Sequence, residues 1–156
     1  MKKRILFICL GNICRSPAAE GIAKKILEDK GLSSQFHIDS AGISSYHHGD
    51  LPDSRMRACG KKRGYVFNSI SRPVRKDDFD NFDLIIGMDT ANIDALKDIA
   101  QTENHLNKIK LMTDYCVNIE ASHVPDPYYG ASNGFDLVID ILEDACKNLI
   151  NELMNS

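Results

Sequence analysis

The sequence predicts a three-layer α/β fold, in which a parallel sheet carries helices on both faces. Short apolar runs alternate with helical patterns along the chain, and such strands are joined by right-handed crossovers into a parallel sheet. The first run, residues 5–8, is apolar at four consecutive positions, as expected for a strand buried on both faces. The chain has 156 residues and is 43% hydrophobic, which predicts a single domain over 1–156.

The other elements follow from the same patterns. Apolar residues recur at helical spacing over 17–30, where Gly31 can cap the helix, and again between Phe135 and Leu153. The predicted elements after the first strand are a helix at 17–30, a strand at 36–42, a helix at 53–63, a strand at 82–89, a helix at 90–101, a strand at 108–112 and a final helix from about Phe135. Ligands of such folds gather at the carboxyl ends of the strands.

Composition excludes several classes of function. The net charge is -3, with 19 basic and 22 acidic residues, which gives no basic surface for nucleic acid. Five cysteines without a Cys-x-x-Cys pair are typical of thiols in a reducing compartment, so a cytoplasmic location is expected. The protein is also expected to be a monomer. The sequence has no apolar run of the length needed to span a membrane. His47 and His48 are adjacent and lack a third spaced ligand, so neither a metal nor another cofactor is expected.

The segment after the first strand, Cys9-Leu-Gly-Asn-Ile-Cys-Arg-Ser, predicts a phosphate-binding loop. Gly11 and Asn12 tolerate positive φ, and Ser16-Pro17 is typical of a helix N-cap followed by proline. Backbone N–H groups at a helix N-terminus bind anions, and the fork of Arg15 matches two phosphate oxygens. The same positive field is expected to favour the thiolate of Cys9, with the Ser16 hydroxyl close enough to donate to the sulfur.

The cysteine and arginine taken alone would also fit a core cysteine beside a surface arginine. The preceding strand, the Gly-Asn turn and the Ser-Pro helix start favour the phosphate-binding interpretation. The nucleotide-type pattern GxxxxGK[ST] does not occur in this segment.

A second segment, 115–134, is long and irregular, and loops of that length in compact domains usually carry function or are disordered. It contains Asp126-Pro127, and the proline would hold the carboxyl of Asp126 on a stiff backbone. A phenol leaving group gains from such a proton donor. An ordinary Asp-Pro turn would look the same, but Tyr128 and Tyr129 could wall a slot for an aryl ring.

These motifs together resemble the low-molecular-weight protein tyrosine phosphatases. The resemblance covers essentially the whole chain and rests on CLGNICRSP at 9–17, DSAG at 39–42, MD at 88–89 and VPDPYYG at 124–130. It implies four parallel strands ordered 2-1-3-4. It also implies hydrolysis of phosphotyrosine in proteins, and of small aryl phosphates, through a cysteinyl-phosphate, with phosphate and other oxyanions as inhibitors.

The resemblance assigns a role to each motif residue. Cys9 is the nucleophile, Arg15 the phosphate clamp, and Asp126 the acid that protonates the phenol and then activates water. Ser40 is expected to support the loop by donating a hydrogen bond to Asn12, and Ser69 stands where many members have a histidine. The phosphate-binding loop comprises Leu10, Gly11, Asn12, Ile13, Cys14 and Ser16, and the substrate cleft comprises Ile13, Tyr46, Asp53, Tyr128 and Tyr129.

Two alternative functions also fit parts of this sequence pattern. An arsenate reductase shares this loop and fold but would need a closely spaced cysteine pair, which Cys59, Cys116 and Cys146 do not resemble. A phosphate-binding module or phosphocysteine carrier without turnover would not need both the arginine and the acid. Cys14 lies in the same tight loop as Cys9, which suggests a redox partner that traps an oxidised Cys9 as a disulfide, although a small packing residue fits equally well.

Overall fold

A parallel sheet of four strands forms the centre of the computed structural model, which describes residues 2–128, 130 and 133–155. The strands are β1 (Lys3–Cys9), β2 (Phe36–Gly42), β3 (Leu84–Gly87) and β4 (Ile109–Leu111). Every neighbouring pair is parallel, and the order across the sheet is β2-β1-β3-β4. The predicted fold class and the implied strand order are therefore confirmed.

Helices connect the strands and cover both faces of the sheet. Those in the described residues are α1 (Arg15–Asp29), α2 (Ser54–Lys62), α3 (Asp78–Asn81), α4 (Thr90–Ile99), α5 (Glu103–Asn107) and α6 (Gly134–Met154), with 3-10 turns at 33–35 and 112–115. The short helices α3 and α5 were not predicted. None of the helices among the described residues combines the length and the apolar character needed to cross a membrane.

Side chains of β1 alternate between two apolar cores. Ile5 and Phe7 pack into the larger one, which includes buried residues of α1 and α6. Leu6 and Ile8 point to the opposite face, where Phe79 and Leu96 pack. Burial of each such side chain stabilises the fold by about 1.5–3 kcal/mol, so β1 is the element on which both helical layers depend.

The start of α1 differs from the prediction. The helix begins at Arg15 and its N-cap position is Cys14, with no capping bond from a side chain. Ser16 is therefore not the cap, because its hydroxyl is engaged with Cys9 and Asn12 instead. The predicted end is confirmed in kind: Gly31 has φ 70, and the Leu32 N–H donates to the Leu27 carbonyl at 2.8 Å.

Candidate active site

The loop that joins β1 to α1 turns sharply at the carboxyl edge of the sheet. Asn12 is buried in the left-handed region with φ 55. The carbonyl oxygens of Leu10, Gly11 and Ile13 accept hydrogen bonds from the Ser44 N–H, the Ser71 hydroxyl and the Asp53 N–H. In a trans peptide the next N–H points the opposite way. The amides of residues 11, 12 and 14 are thus directed away from these partners, as an anion cradle requires.

Close packing of the loop against β2 depends on Gly42. A Cβ atom at this position would lie 3.1 Å from both the Cβ and the backbone nitrogen of Asn12 and 3.1 Å from the Gly11 carbonyl carbon. Contacts this short are tighter than ordinary packing and would push the loop outward. The glycine of the DSAG motif therefore sets how closely the loop approaches the sheet.

Cys9 lies at the floor of the loop, and its side chain is almost fully buried. Its sulfur is 3.0 Å from the Ser16 hydroxyl oxygen, in agreement with the predicted contact. Asn12 donates from its amide nitrogen to the hydroxyls of Ser16 at 2.8 Å and Ser40 at 3.0 Å. The direction expected for Ser40 was therefore wrong, because Ser40 accepts from Asn12.

The proton of Ser40 goes to a residue that the sequence did not reveal. The Ser40 hydroxyl donates to Oε1 of Glu20 at 2.6 Å, and Lys24 donates to Oε2 of the same carboxylate at 2.6 Å. Glu20 is only 5% exposed although it lies on the first turns of α1. A buried carboxylate next to a catalytic-type loop is thus part of the candidate site.

Arg15 is 2% exposed and is held by three oxygens. Its guanidinium donates to the Asp89 carboxylate at 2.7 Å and to the Val124 carbonyl at 3.0 Å, and it lies 3.6 Å from the Asp126 carboxylate. Burial opposes the charged form of Asp89, but hydrogen bonds from Arg15 and the Asn92 N–H outweigh it and lower the pKa of Asp89. The MD motif therefore supplies the ion pair that orients the arginine.

The segment that carries Asp126 is tied to α2 through Arg55. Asp126 accepts the N–H of Tyr128 at 3.0 Å, and Arg55 donates to the Tyr128 carbonyl at 3.2 Å while its guanidinium lies 5.4 Å from the centre of that ring. Arg55 also binds both carboxylate oxygens of Asp53, which lowers the pKa of Asp53. Asp53 thus holds Arg55, which contacts the segment that carries Asp126, and Asp53 is not among the residues that line the cleft.

A cleft of about 430 Å³ opens above Cys9. Tyr46, His47 and Tyr128 form its aromatic rim, with the His47 ring centre 4.8 Å from that of Tyr46 and 6.2 Å from that of Tyr128. His47 was not predicted here, although its place beside Tyr46 in the loop was a usable signal. The predicted cleft residue Tyr129 lies outside the described residues. The cleft is lined by Cys9, Leu10, Gly11, Ile13, Cys14, Arg15, Ser44, Tyr46, His47, Asp126 and Tyr128.

Ser69 lines a second groove of about 300 Å³, whose walls also include Glu20 and Lys24. Glu20, which accepts a hydrogen bond from Ser40, is paired with Lys24 of the same helix.

His47 contacts Asp50 at 3.2 Å. Within residues 2–128, 130 and 133–155, no three His, Cys, Asp or Glu side chains form a cluster suited to a metal ion.

Comparisons with known proteins agree with this geometry. The family model described as low molecular weight phosphotyrosine protein phosphatase matches residues 4–156. A relative of that name from Gallus gallus is 39% identical over 154 residues, which cover 96% of this chain and 95% of the relative. A crystal structure of a protein tyrosine phosphatase from Entamoeba histolytica has a TM-score of 0.96 at 52% identity, over 99% of this chain and 98% of that one.

The same fold occurs in a drosophila arginine phosphatase, whose crystal structure has a TM-score of 0.89 at 31% identity over 98% of each chain. The matches as a whole define the class of the present chain, which is a protein tyrosine phosphatase. More narrowly, the chain belongs to the low molecular weight phosphotyrosine protein phosphatase family.

Proposed function

We propose that the protein hydrolyses phosphotyrosine in proteins through a cysteinyl-phosphate formed on Cys9. The observation that carries this proposal is that Cys9, Arg15 and Asp126 line one cleft with the anion-type loop as its floor. A phosphate seated on the loop would receive backbone N–H donors and the Arg15 fork. Its phosphorus would then face the sulfur of Cys9, on the side opposite the leaving oxygen.

In the first step, the Cys9 sulfur attacks phosphorus and the bond to the tyrosyl oxygen breaks. The Asp126 carboxyl gives its proton to that oxygen, so a phenol leaves rather than a phenolate. Asp126 has an oxygen 3.6 Å from Arg15, which keeps it at the edge of the phosphate site. The Ser16 hydroxyl, 3.0 Å from the sulfur, stabilises the negative charge on the nucleophile.

In the second step, water attacks the cysteinyl-phosphate and the Cys9 sulfur leaves as a thiolate. Asp126 is now a carboxylate and takes a proton from the attacking water, by the reverse of its first role. The Ser16 hydroxyl again donates to the departing sulfur. Inorganic phosphate is released, and no group outside the chain is consumed other than water.

Aromatic residues at the cleft mouth support an aryl substrate. The rings of Tyr46, His47 and Tyr128 can stack on a phenyl group but gain little from a short phosphoserine side chain. The arginine phosphatase among the structural neighbours makes phosphoarginine the informative competitor. An arsenate reductase is disfavoured because Cys59 and Cys146 lie on α2 and α6 rather than beside Cys9.

The test compares matched peptides that carry phosphotyrosine, phosphoserine or phosphoarginine, together with p-nitrophenyl phosphate. We expect kcat/KM to be highest for the phosphotyrosyl peptide, with no turnover by Cys9→Ser or Arg15→Ala. Trapping of a labelled phosphoryl group on wild-type Cys9 during turnover would identify the intermediate. A fully active Cys9→Ser protein would refute the mechanism, and equal rates on the three peptides would refute the substrate assignment.

A further inference from the structure

We infer that Glu20 is a positioning residue for Cys9, because its carboxylate, together with the Arg72 N–H, sets the direction of a chain of hydrogen bonds that ends on the sulfur. The chain runs from Glu20 through Ser40, Asn12 and Ser16 to Cys9. This inference rests on the proposed role of Cys9 as the nucleophile. Glu20 itself does not line the cleft and acts only through the residues between.

At one end of this chain of hydrogen bonds, the carboxylate sets the direction. An ionised carboxylate can only accept hydrogen bonds, and both oxygens of Glu20 are used: Oε1 by the Ser40 hydroxyl and Oε2 by the Lys24 ammonium, each at 2.6 Å. The proton of Ser40 must therefore point to Glu20. This leaves a lone pair of the Ser40 oxygen, rather than its proton, facing Asn12.

Asn12 passes this direction on. The Arg72 N–H donates to its Oδ1 at 3.1 Å, so the amide nitrogen faces the two serines. One of its hydrogens goes to Ser40 at 3.0 Å and the other to Ser16 at 2.8 Å. All the hydrogen-bonding groups of this side chain are satisfied, which fixes a residue whose positive φ is otherwise unfavourable.

The direction at Cys9 follows. The Ser16 oxygen already accepts from Asn12, and its hydroxyl has a single proton. The atom within reach of that proton is the Cys9 sulfur at 3.0 Å. When Cys9 is a thiolate its sulfur can only accept, so Ser16 is then the donor in this contact, and each step back to Glu20 favours that arrangement. Through space, the negative charge of Glu20 would oppose a thiolate, whereas through the chain of bonds Glu20 favours it.

The substitution Glu20→Gln separates these two effects. A glutamine side chain has one accepting oxygen, but Ser40 and Lys24 both donate. If that oxygen faces Lys24, the amide nitrogen meets a Ser40 oxygen that already accepts from Asn12, and the buried Ser40 proton loses its acceptor. Adding Lys24→Glu supplies a new acceptor for the amide nitrogen, so the amide oxygen is free to accept from Ser40 again.

The readout is the pH dependence of Cys9 alkylation by iodoacetamide, followed by peptide mass spectrometry in the absence of phosphate. The charged side chains that border the same groove as Glu20 in wild type are Lys24, Lys25 and Glu28, so the control must lie outside this set. Asp29→Asn is the matched control, because it removes one acidic charge from the exposed Lys25–Asp29 pair on the same helix.

We expect Glu20→Gln and Ser40→Ala to move the midpoint of Cys9 alkylation to higher pH, with roughly tenfold slower alkylation below that midpoint. The double variant Glu20→Gln/Lys24→Glu should return toward wild type, and Asp29→Asn should not move. If Glu20→Gln proves poorly folded by thermal melting, Ser40→Ala carries the same prediction.

A midpoint that falls or stays constant in Glu20→Gln and in Ser40→Ala would overturn the inference, since loss of a nearby negative charge alone lowers it. Failure of the double variant to recover would also overturn it. Alkylation does not require turnover, so these outcomes are distinct from a failure of the proposed phosphatase mechanism.

Discussion

Asp126 lies beside Arg15, whose guanidinium group is permanently charged. Its carboxylate lies 3.6 Å from the Arg15 guanidinium, which is itself buried and held at 2.7 Å by Asp89. A buried arginine without such a partner would be strongly destabilising. Because Asp89 already compensates the cation, Arg15 keeps a partner when Asp126 is removed, so the proposed role of Asp126 as an acid can be measured by removing it alone.

We expect Asp126→Ala to lower kcat by about 10²–10⁴-fold on aryl phosphates, the usual loss for a general acid. The loss should be larger for phenyl phosphate than for p-nitrophenyl phosphate, because the more basic phenolate depends more on protonation. The measurement is kcat for both substrates in wild type, Asp126→Ala and Asp136→Ala, an exposed acid of α6 that serves as control. Equal losses on both substrates would argue against proton donation to the leaving group.

Cys14 is the second thiol of the loop, and its surroundings favour the protonated thiol over the reactive thiolate. It is 4% exposed, and burial together with the nearby Asp53, Cys9 and Asp126 raises the pKa of its thiol. Cys14 is thus a protonated thiol at neutral pH. A role as redox partner would be to capture Cys9 after oxidation, since Cys9 sulfenic acid and a thiol give a disulfide and water.

For this proposal we expect peroxide to inactivate wild type reversibly. Dithiothreitol should restore most of the wild-type activity but little of the activity of Cys14→Ser, because Cys9 then oxidises further without being trapped. The measurement is activity after peroxide, quenching and reduction, with Cys59→Ser as the matched thiol control. Equal recovery of wild type and Cys14→Ser would leave Cys14 a packing residue only.

Among individual residues, the sequence predicted those that belong to one short motif. Cys9 and Arg15 could be placed together because they belong to one loop, and Ser16 could be predicted to reach the sulfur. Glu20 could not be found, since a glutamate four residues before Lys24 is typical of an exposed helix face. Its burial goes with the hydrogen bond from Ser40 of β2, a contact between distant parts of the chain that local patterns do not reveal.

Among the strands and helices, the end of β2 leaves the least room for a larger side chain, at Gly42. Gly42 pairs with Cys9 in the sheet register and forms a further bridge with Pro73, so the segments on both sides meet the phosphate-binding loop there. The strands and the four longer helices followed from apolar periodicity. The helices α3 and α5 have four and five residues, which is too short to show a period of 3.6, and their formation depends on capping and tertiary contacts.

Gly42→Ala should therefore disturb the loop more than the sheet. The added Cβ would press on the backbone of Gly11 and Asn12 at 3.1 Å, and overpacking of this kind costs about 1–3 kcal/mol. We expect weaker phosphate binding, measured as a smaller rise of Tm with added phosphate, and lower kcat/KM. Far-ultraviolet circular dichroism should be unchanged. Wild-type phosphate affinity in Gly42→Ala would show that the loop can move aside without loss.

Across the whole molecule, the titratable groups with shifted pKa values form two sets, and the stability of the fold depends on pH in opposite directions for the two. Interactions in the fold lower the pKa of Asp53, Asp89 and Asp144. Burial raises the pKa of several thiols and phenols, and it raises the pKa of Cys116 to about 11. A carboxyl group with a lowered pKa stabilises the fold above the unfolded pKa of about 4. This stabilisation is lost as the pH falls below that value. A raised pKa stabilises the fold below about pH 8.5–9, and that contribution is lost as the pH rises further.

The free energy of unfolding should accordingly be nearly constant between about pH 5 and 8 and decrease on both sides. Asp144 offers the clearest test of the acid side. Its carboxylate accepts hydrogen bonds from the N–H groups of Val117, Asn118 and Ile119 and so anchors residues 117–119 to α6. Burial opposes its charge, but these donors outweigh it and lower the pKa of Asp144.

We expect Asp144→Asn to lower the free energy of unfolding at pH 7 by about 1 kcal/mol, because a charge-assisted acceptor of three N–H groups becomes neutral. At pH 3 the difference from wild type should shrink, since this pH lies below the unfolded pKa of about 4, where the stabilisation from a lowered pKa begins to be lost. Urea unfolding at pH 3, 5, 7 and 10 measures this. Asp140→Asn, which removes one exposed partner of Arg63, is the control and should change stability by less than about 1 kcal/mol. An Asp144→Asn effect that is the same at pH 3 and pH 7 would show that the charge of the carboxylate is not what holds the segment.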